Sequence, residues 1–279
     1  MKSVPTRTMI SPRSSPHYNE CLLPEAQRDR IDVILVSPRN PLNIGAAARA
    51  MSNFGFARLA VVAPYEEHWR EARSAVGAPE LLQNAKETDS LAEAVSNCTL
   101  VVGTGTLTFR KPEQKVIYLP SLGPIVQKEL ERGGRMGLIF GSEKHGLTRD
   151  DLSYCHLLVE IPTDARQPSM NLGQAVAVCL YELSTHAVLA ADSKVDPNRP
   201  IAGANETAAP AAALDLLADA IEQTMNAAGY SPHLMQAANR HDLRLLLRRI
   251  HPNHSDTRRI LGLFRRVLWR LRRSPSRLE

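Results

Sequence analysis

A short buried strand that leads directly into a helix of small residues constrains the fold of this chain more than any other feature. Residues 31–36 are Ile-Asp-Val-Ile-Leu-Val, an apolar, β-branched run that predicts a buried β-strand ending before Pro38. Pro41 then forces a turn, and Asn43 can cap the helix predicted over 44–54, where alanines dominate. Such small side chains allow the helix to lie close against a sheet.

Strands and helices alternate along the next part of the chain. Apolar runs predict strands over 59–62, 99–102, 136–140 and 157–161, and helical patterns lie between and after them, over 68–75, 91–95, 121–132 and 169–189. This alternation predicts an α/β fold with a parallel sheet, whose ligands lie at the carboxyl ends of the strands. Glycine- or serine-rich turns follow three of the strands, at 103–106, 141–146 and 163–171.

Arg49 is the cation of the alanine-rich helix, about one and a half turns from its start. An arginine on a helix is most often a solvated surface charge, and that interpretation stays open at this point. A helix so rich in alanine has little reason to be exposed, however, and arginine is the residue that grips phosphate or ribose in partly buried sites. We therefore treat Arg49 as a candidate functional residue.

The sequence lacks the familiar motifs of nucleotide-binding folds and of nucleophilic active sites. The Gly-Thr-Gly-Thr at 103–106 lacks dinucleotide-fold spacing, and no Gly-Lys-Ser/Thr forms a P-loop, which counts against NAD and ATP. No Ser/His/Asp or Cys/His constellation stands out. Glu143 could be a general base, but a single loop glutamate more often caps or pairs, and His145 is interpreted as structural. From residues alone, the chain is a ligand-binding α/β domain.

The composition limits the classes of protein to which this chain can belong. The chain has 279 residues, is 43% hydrophobic and contains no apolar segment near 18 residues, so we expect no membrane partner. Its first residues lack an apolar signal region, and we interpret 1–29 as a flexible tail. The four cysteines are far apart and show no metal-binding spacing. They predict reduced thiols, no metal and a cytoplasmic location.

Positive charge is concentrated at the C-terminal end. Residues 240–279 hold twelve arginines and three acidic residues, an excess of nine positive charges, so the whole chain's +5 leaves the remaining 239 residues at −4. Such asymmetry usually indicates a polyanion partner, although a solvated helix face is the alternative. We interpret 191–210 as a linker and 211–279 as an arginine-rich helical extension, in which leucines are buried and arginines point outward.

Three stretches together resemble the signature motifs of the SPOUT superfamily, in its SpoU or TrmH branch of RNA ribose 2′-O-methyltransferases. The first is Asn-Pro-Leu-Asn-Ile-Gly-Ala-Ala-Ala-Arg at 40–49. The second is Ile-Phe-Gly-Ser-Glu-Lys-His-Gly-Leu-Thr at 139–148. The third joins Ile-Pro at 161–162 to Pro-Ser-Met-Asn-Leu at 168–172 and the helix that follows. Within the branch, the chain looks most similar to TrmJ-like enzymes, which modify the anticodon loop of tRNA.

The resemblance implies a SPOUT domain over 30–190 with a C-terminal trefoil knot, an exception to the rule against threading. It implies S-adenosyl-L-methionine as the cofactor and a homodimer with the active site at the subunit interface. Asn43, Glu143 and Asn171 would hold the loops, and Arg49 would be catalytic by stabilising the developing alkoxide and fixing the ribose. Carried over by position, the cofactor pocket consists of Thr104, Gly105, Thr106, Gly141, Ile161, Pro168, Ser169 and Met170. The missing side chain of Gly141 would let the backbone approach the ligand.

The substrate expected from this resemblance is RNA, and tRNA in particular. Ribosomal RNA and a non-catalytic RNA-binding or ribosome-assembly factor on the same fold are the alternatives. The loop after 103–106 departs from the family pattern, so that Arg110 or Lys111 would contact the phosphate. Gln167 and Pro168 stand where a tyrosine and a serine are common. The arginines of the extension expected to bind RNA are Arg244, Arg248, Arg249, Arg258, Arg259, Arg265 and Arg266.

Overall fold

The computed structural model describes residues 23–106, 112–192, 207–230 and 236–273. Seven parallel strands form one sheet in the order β3-β2-β1-β6-β4-β7-β5, which confirms the predicted fold class. The strands are β1 (Ile31–Val36), β2 (Leu59–Val62), β3 (Lys86–Thr88), β4 (Leu100–Thr104), β5 (Lys115–Tyr118), β6 (Met136–Phe140) and β7 (Leu157–Glu160).

Helices cover both faces of this sheet and continue beyond it. They are α1 (Glu25–Arg28), α2 (Pro41–Asn53), α3 (Pro79–Gln83), α4 (Leu91–Ala94), α5 (Leu122–Glu131), α6 (Arg149–Ser153), α7 (Leu172–Asp192), α8 (Ala211–Ala227), α9 (Gln236–Ile250) and α10 (His254–Arg273). None of the helices in the described part of the chain is long and apolar enough to cross a membrane.

The central strand β1 explains the two-sided core. All six of its residues are buried, and Leu35 pairs with Val61 of β2 on one side and Phe140 of β6 on the other. Because successive side chains of a strand point to opposite faces, Leu35 packs with α2, α5 and α7, whereas Ile34 packs with α4 and α6. This double burial is typical of a parallel sheet covered by helices.

We expected the small residues of α2 to bring it close to the sheet, and the structure shows that they also bring it close to the helix α7. A Cβ placed on Gly173 of α7 would lie 2.7 Å from the Cβ of Ala46, so the two backbones approach too closely for a larger residue. The helix begins differently from the prediction, because Asn40 rather than Asn43 is its cap, and the Asn40 side chain accepts a hydrogen bond from the Leu42 N–H at 2.9 Å. Asn43 is thereby available for another contact.

Several sequence-based element predictions were wrong at the edges of the fold. The helix predicted over 68–75 is only a 3₁₀ turn, Trp69–Glu71. Strands β3 and β5 were missed because they are short edge strands with mostly exposed residues and carry little apolar periodicity. The 1–29 tail prediction covers residues that the structure describes only from 23 onward, and there Leu23 is buried and α1 is helical.

The C-terminal extension forms a three-helix unit that contacts the sheet domain. Leu217, Ala218 and Leu247 form its core, and Leu261 and Phe264 of α10 pack against them. At its start, Ala211 is fully buried in the domain's own core, and its N–H donates to the Cys98 carbonyl at 2.9 Å. Most of the predicted linker, 193–206, lies outside the described residues. The domain boundaries and the trefoil knot therefore stay predictions.

Candidate active site

The second and third sequence motifs and the loop at 104–106 meet in one cavity at the carboxyl ends of β4, β6 and β7. Its volume is about 250 Å³. All eight residues that we expected to bind the cofactor line it: Thr104, Gly105, Thr106, Gly141, Ile161, Pro168, Ser169 and Met170. The structure thus brings these residues together, as a parallel sheet requires of loops that follow neighbouring strands.

The loops around this cavity are joined by side chains of the same residues. The Thr104 hydroxyl donates to the Ile139 carbonyl at 2.9 Å and so links β4 to β6. The Thr106 hydroxyl donates to the Pro168 carbonyl at 3.0 Å, and Thr163 donates to the same oxygen at 3.3 Å. Two of the expected pocket residues therefore also have a structural role, because they set the positions of the walls.

Gly141 has a different role from the one we expected. We predicted that its missing side chain makes room for a ligand. A Cβ at this position would instead lie 2.1 Å from the backbone carbon of Gly146 and 2.2 Å from the nitrogen of Leu147. The Gly146 N–H donates to the Ser142 carbonyl at 2.8 Å and closes this loop on itself. Glycine at 141 is needed because the loop folds back over its own start.

Glu143, Asn43 and Asn171 form a chain of hydrogen bonds that connects all three motifs. The Glu143 carboxylate accepts from the Arg39 N–H at 2.8 Å, the Asn40 N–H at 3.1 Å and the Asn43 side-chain amide at 2.9 Å. Asn43 in turn accepts from the Asn171 amide at 2.9 Å. Asn171 also accepts from the Gly173 N–H at 3.0 Å, at the start of α7.

This network defines the charge state of Glu143. Partial burial raises the pKa of its carboxyl, but the hydrogen bonds from Asn43, Arg39 and Asn40 outweigh burial and hold the pKa below its ordinary value. All of these partners are donors, so they stabilise the ionised form. The geometry favours a carboxylate that holds the loops together over a general base that gains and loses a proton.

Arg49 is exposed and is not among the residues that line the cavity. It projects from α2 between the buried residues Ala48 and Ala50, so the helix is buried as expected while its cation is not. No hydrogen bond or ion pair to another described residue holds its side chain. The expected partial burial of Arg49 is not found in the single chain.

The structure divides the arginines of the extension into two groups. Arg248 is 2% exposed, donates to Asp215 at 3.0 Å and lies against the Tyr154 carbonyl, and Arg244 pairs with Asp150 at 3.1 Å and stacks on the Tyr154 ring. These two dock the extension on the domain, which corrects their assignment to an RNA-binding surface. The exposed residues of the predicted set are Arg249, Arg258, Arg259, Arg265 and Arg266. Arg110 and Lys111 lie outside the described residues.

Further residues of the cavity were missed by the sequence reasoning. The loop 141–146 contributes Ser142, Lys144 and His145 as well as the glycines, although we interpreted His145 as structural. Position in a motif loop was the available signal for these three. Beside the cavity, the Arg39 guanidinium lies 4.6 Å from the centre of the Tyr65 ring. Neither Arg39 nor Tyr65 was singled out, because they lie outside the motifs themselves.

Comparison with known proteins agrees with this geometry. A family model described as the SpoU rRNA Methylase family matches residues 30–181, which include all three motifs. The chain belongs to this family. The match confirms the resemblance to the SpoU branch on which the site residues were chosen.

Individual relatives resemble larger parts of the chain. A tRNA (cytidine/uridine/adenosine-2′-O-)-methyltransferase TrmJ from Pseudomonas aeruginosa is 40% identical over 172 residues, which is 60% of this chain and 64% of the relative's length. The Klebsiella pneumoniae tRNA (cytidine/uridine-2′-O-)-methyltransferase TrmJ is 32% identical over 243 residues, 84% of this chain and 94% of that enzyme. The crystal structure of TrmJ from Z. mobilis ZM4 superposes with a TM-score of 0.70 at 29% identity, and the match covers 85% of this chain and 98% of the TrmJ chain.

Proposed function

We propose that this protein transfers a methyl group from S-adenosyl-L-methionine to a ribose 2′-hydroxyl of tRNA. The observation that carries the proposal is the cavity at the carboxyl ends of β4, β6 and β7, where loops of the second and third motifs converge and the Glu143–Asn43–Asn171 chain attaches the first. Relatives aligned over most of the chain are named as tRNA 2′-O-methyltransferases, which favours the same reaction and substrate class.

The lining of the cavity suits this cofactor. Ile161, Met170 and Leu172 offer apolar side chains, while the loops at 105 and 141 bring backbone groups to the same space. A purine needs apolar walls with a few polar partners, and that is the chemistry present here. When bound, S-adenosyl-L-methionine supplies an electrophilic methyl group. The protein's own residues then have to hold the ribose and stabilise negative charge on its 2′-oxygen.

Arg49 is the residue to which we assign the stabilisation of this charge. A guanidinium is a donor and holds its proton in proteins, so it cannot serve as an ordinary base. It can stabilise an alkoxide and orient the ribose or its phosphate by bidentate hydrogen bonds. Its exposure and its lack of partners among the described residues leave the Arg49 guanidinium available for the substrate.

A homodimer would complete this site. Arg49 follows Leu42 by seven residues and therefore shares its face of α2. Leu42 is 54% exposed, and on the adjoining helix α7 Val178 and Tyr181 are 37% and 56% exposed. The Tyr181 ring meets the ring of Phe54, the residue that directly follows α2, edge-on at a centroid distance of 6.1 Å. A second copy packed on this apolar face would cover Leu42 and Tyr181 and place Arg49 within the interface.

Methyl transfer from radiolabelled S-adenosyl-L-methionine tests the proposal. We expect label in tRNA, resistant to alkali at the methylated ribose, with the wild-type chain and a large loss with Arg49→Ala. Label only in ribosomal RNA would support the second candidate, which the family's description as rRNA methylases favours. RNA binding without transfer to either RNA would overturn the enzyme assignment and favour a non-catalytic RNA-binding factor.

A further inference from the structure

A second hollow adjoins the cavity on the side of β1 and β2. Its volume is about 460 Å³, and it shares Ser142, His145 and Gly146 with the first cavity. Arg39 and Tyr65 form its other side. Hollows of a few hundred Å³ are the size that small ligand groups occupy. The kind of ligand that this hollow can bind depends on the side chains of Arg39 and Tyr65.

Tyr65 presents an aromatic ring to solvent. The side chain is 65% exposed, and the Arg39 guanidinium lies 4.6 Å from the ring centre. An aromatic ring beside an arginine plane is the combination on which unstacked RNA bases stack, because both groups are flat and the cation also favours the nearby phosphates.

The backbone under this pair is fixed by contacts to the active-site loops. The Arg39 N–H donates to the Glu143 carboxylate at 2.8 Å, and the Tyr65 N–H donates to the Pro38 carbonyl at 3.1 Å. The pair therefore belongs to the same hydrogen-bonded framework as the cavity. These hydrogen bonds fix the position of its backbone relative to the candidate cofactor pocket.

Two strained residues hold the same segments. Ser37 and Ala63 adopt positive φ angles of 47° and 43°, in a region that residues with a side chain rarely occupy. Each directly follows a strand, and their N–H groups donate to the carbonyls of Val62 and Thr88 at 2.8 and 2.9 Å. Strain of this kind persists where the surrounding structure enforces it, often beside functional sites.

We propose that Tyr65, together with Arg39, is a stacking platform for a base of the RNA substrate next to the methylated nucleotide. The proposal rests on the proposed function for its choice of RNA as the ligand. It adds a positioning residue and a subsite that takes a planar nucleobase. Stacking recognises the face of a base, so the platform would tolerate different bases and contribute binding more than base identity.

Four variants of the full-length chain separate stacking from other roles of the side chain. Tyr65→Phe keeps the ring, Tyr65→Leu keeps apolar bulk without a ring, and Tyr65→Ala removes both. Arg39→Gln removes the cation and keeps the backbone N–H that donates a hydrogen bond to Glu143. Tyr118→Ala is the matched control, because Tyr118 is 63% exposed and lies at the end of β5 at the opposite edge of the sheet.

The direct readout is fluorescence of 2-aminopurine, which stacking quenches. We place it at each loop position of an anticodon stem-loop RNA in turn and titrate the protein. We expect one position to be quenched by the wild type, Tyr65→Phe and Tyr118→Ala, and not by Tyr65→Ala or Tyr65→Leu. Arg39→Gln should give an intermediate result. The affinity of Tyr65→Ala for the RNA should fall about tenfold to hundredfold, the usual effect of losing one stacked base.

Kinetics provide the second readout and keep the two proposals apart. With tRNA as substrate, Tyr65→Ala should raise KM with a smaller change in kcat, and Tyr65→Phe should restore both. Equal quenching and equal KM for Tyr65→Ala and the wild type would overturn the platform while methyl transfer stands. Quenching that depends on the ring in a protein without methyl transfer would support the platform and overturn the proposed reaction.

Discussion

Replacing Glu143 by glutamine tests the hydrogen-bond chain that joins the three motifs. Both carboxylate oxygens accept: Oε2 from the Arg39 N–H, and Oε1 from the Asn40 N–H and the Asn43 amide. A glutamine has a single acceptor oxygen, and its NH₂ group would face a donor on the other side. The Glu143→Gln side chain therefore loses at least one charge-assisted bond and gains a donor–donor contact.

The expected size of the effect follows from these contacts. A hydrogen bond to a charged group contributes about 1.5–3 kcal/mol. Glu143 is exposed to solvent, which screens part of that energy, so we expect a loss of about 1–2 kcal/mol. For a domain of this size the unfolding temperature should fall by about 2–8 °C. If the whole loss appears in ligand binding, the Kd for S-adenosyl-L-methionine should rise about fivefold to thirtyfold.

Differential scanning calorimetry and titration calorimetry measure the two quantities on the same preparations. Glu80→Gln is the matched control, because Glu80 is an exposed glutamate whose side chain makes no hydrogen bond to another described residue. If Glu143→Gln matches both the control and the wild type in unfolding temperature and in Kd, the network does not hold the loops, and our account of Glu143 is wrong.

The same carboxylate makes a prediction about pH. Its pKa is lower in the folded protein than the ordinary value of 4.5, so its contribution to stability is fully present above that value. The contribution is lost as the pH falls through the lowered folded pKa. We therefore expect the stability difference between wild type and Glu143→Gln to be constant near neutral pH and to shrink below about pH 4.5. If the stability difference between wild type and Glu143→Gln grows as the pH falls, the direction that we infer for the pKa shift of Glu143 is wrong.

The remaining predictions concern Arg49 as the proposed catalytic residue, the tight loop at Gly141 and the cationic extension. Arg49→Ala should keep its affinity for S-adenosyl-L-methionine and lose about 10²–10³ in kcat, and turnover near that of the wild type would remove Arg49 from the mechanism. Gly141→Val should abolish cofactor binding and lower the unfolding temperature, since its side chain meets the backbone at 146–147; unchanged calorimetric affinity would place the pocket elsewhere. Neutralising exposed cations should reduce the slope of log tRNA affinity against log salt concentration by about 0.7–0.9 for each lost phosphate contact. An unchanged slope together with a shifted monomer–dimer equilibrium would mean that the extension stabilises the dimer and does not bind RNA. The variant for this test changes four exposed arginines to glutamine: Arg258, Arg259, Arg265 and Arg266.

The fold class and the location of the site could be predicted from the sequence because both depend on local patterns. The buried strand Ile31–Val36 has the same bounds in the structure as in the prediction. The motif residues lie at strand ends, and a parallel sheet necessarily gathers such ends on one side. For that reason the eight expected pocket residues line one cavity, although they come from three separate segments.

Roles that depend on distant partners could not be predicted in the same way. Arg248 looks like its cationic neighbours in sequence, and only the packing of α9 against α8 and the sheet domain buries it between Asp215 and Tyr154. Gly141 seemed suited to ligand approach, and only the path of the loop shows that Gly146 occupies the space of its side chain.

Local composition and long-range packing therefore determined different things about this protein. Apolar runs and turn residues act over a few positions, so the sequence by itself determined the strands of the core, the helix that carries Arg49 and the loops of the site. Sheet order, the Glu143–Asn43–Asn171 chain and the pairing of Arg39 with Tyr65 join residues from 26 to 128 positions apart in the chain. Only the tertiary structure decided these, because contacts at such separations depend on how the whole chain packs.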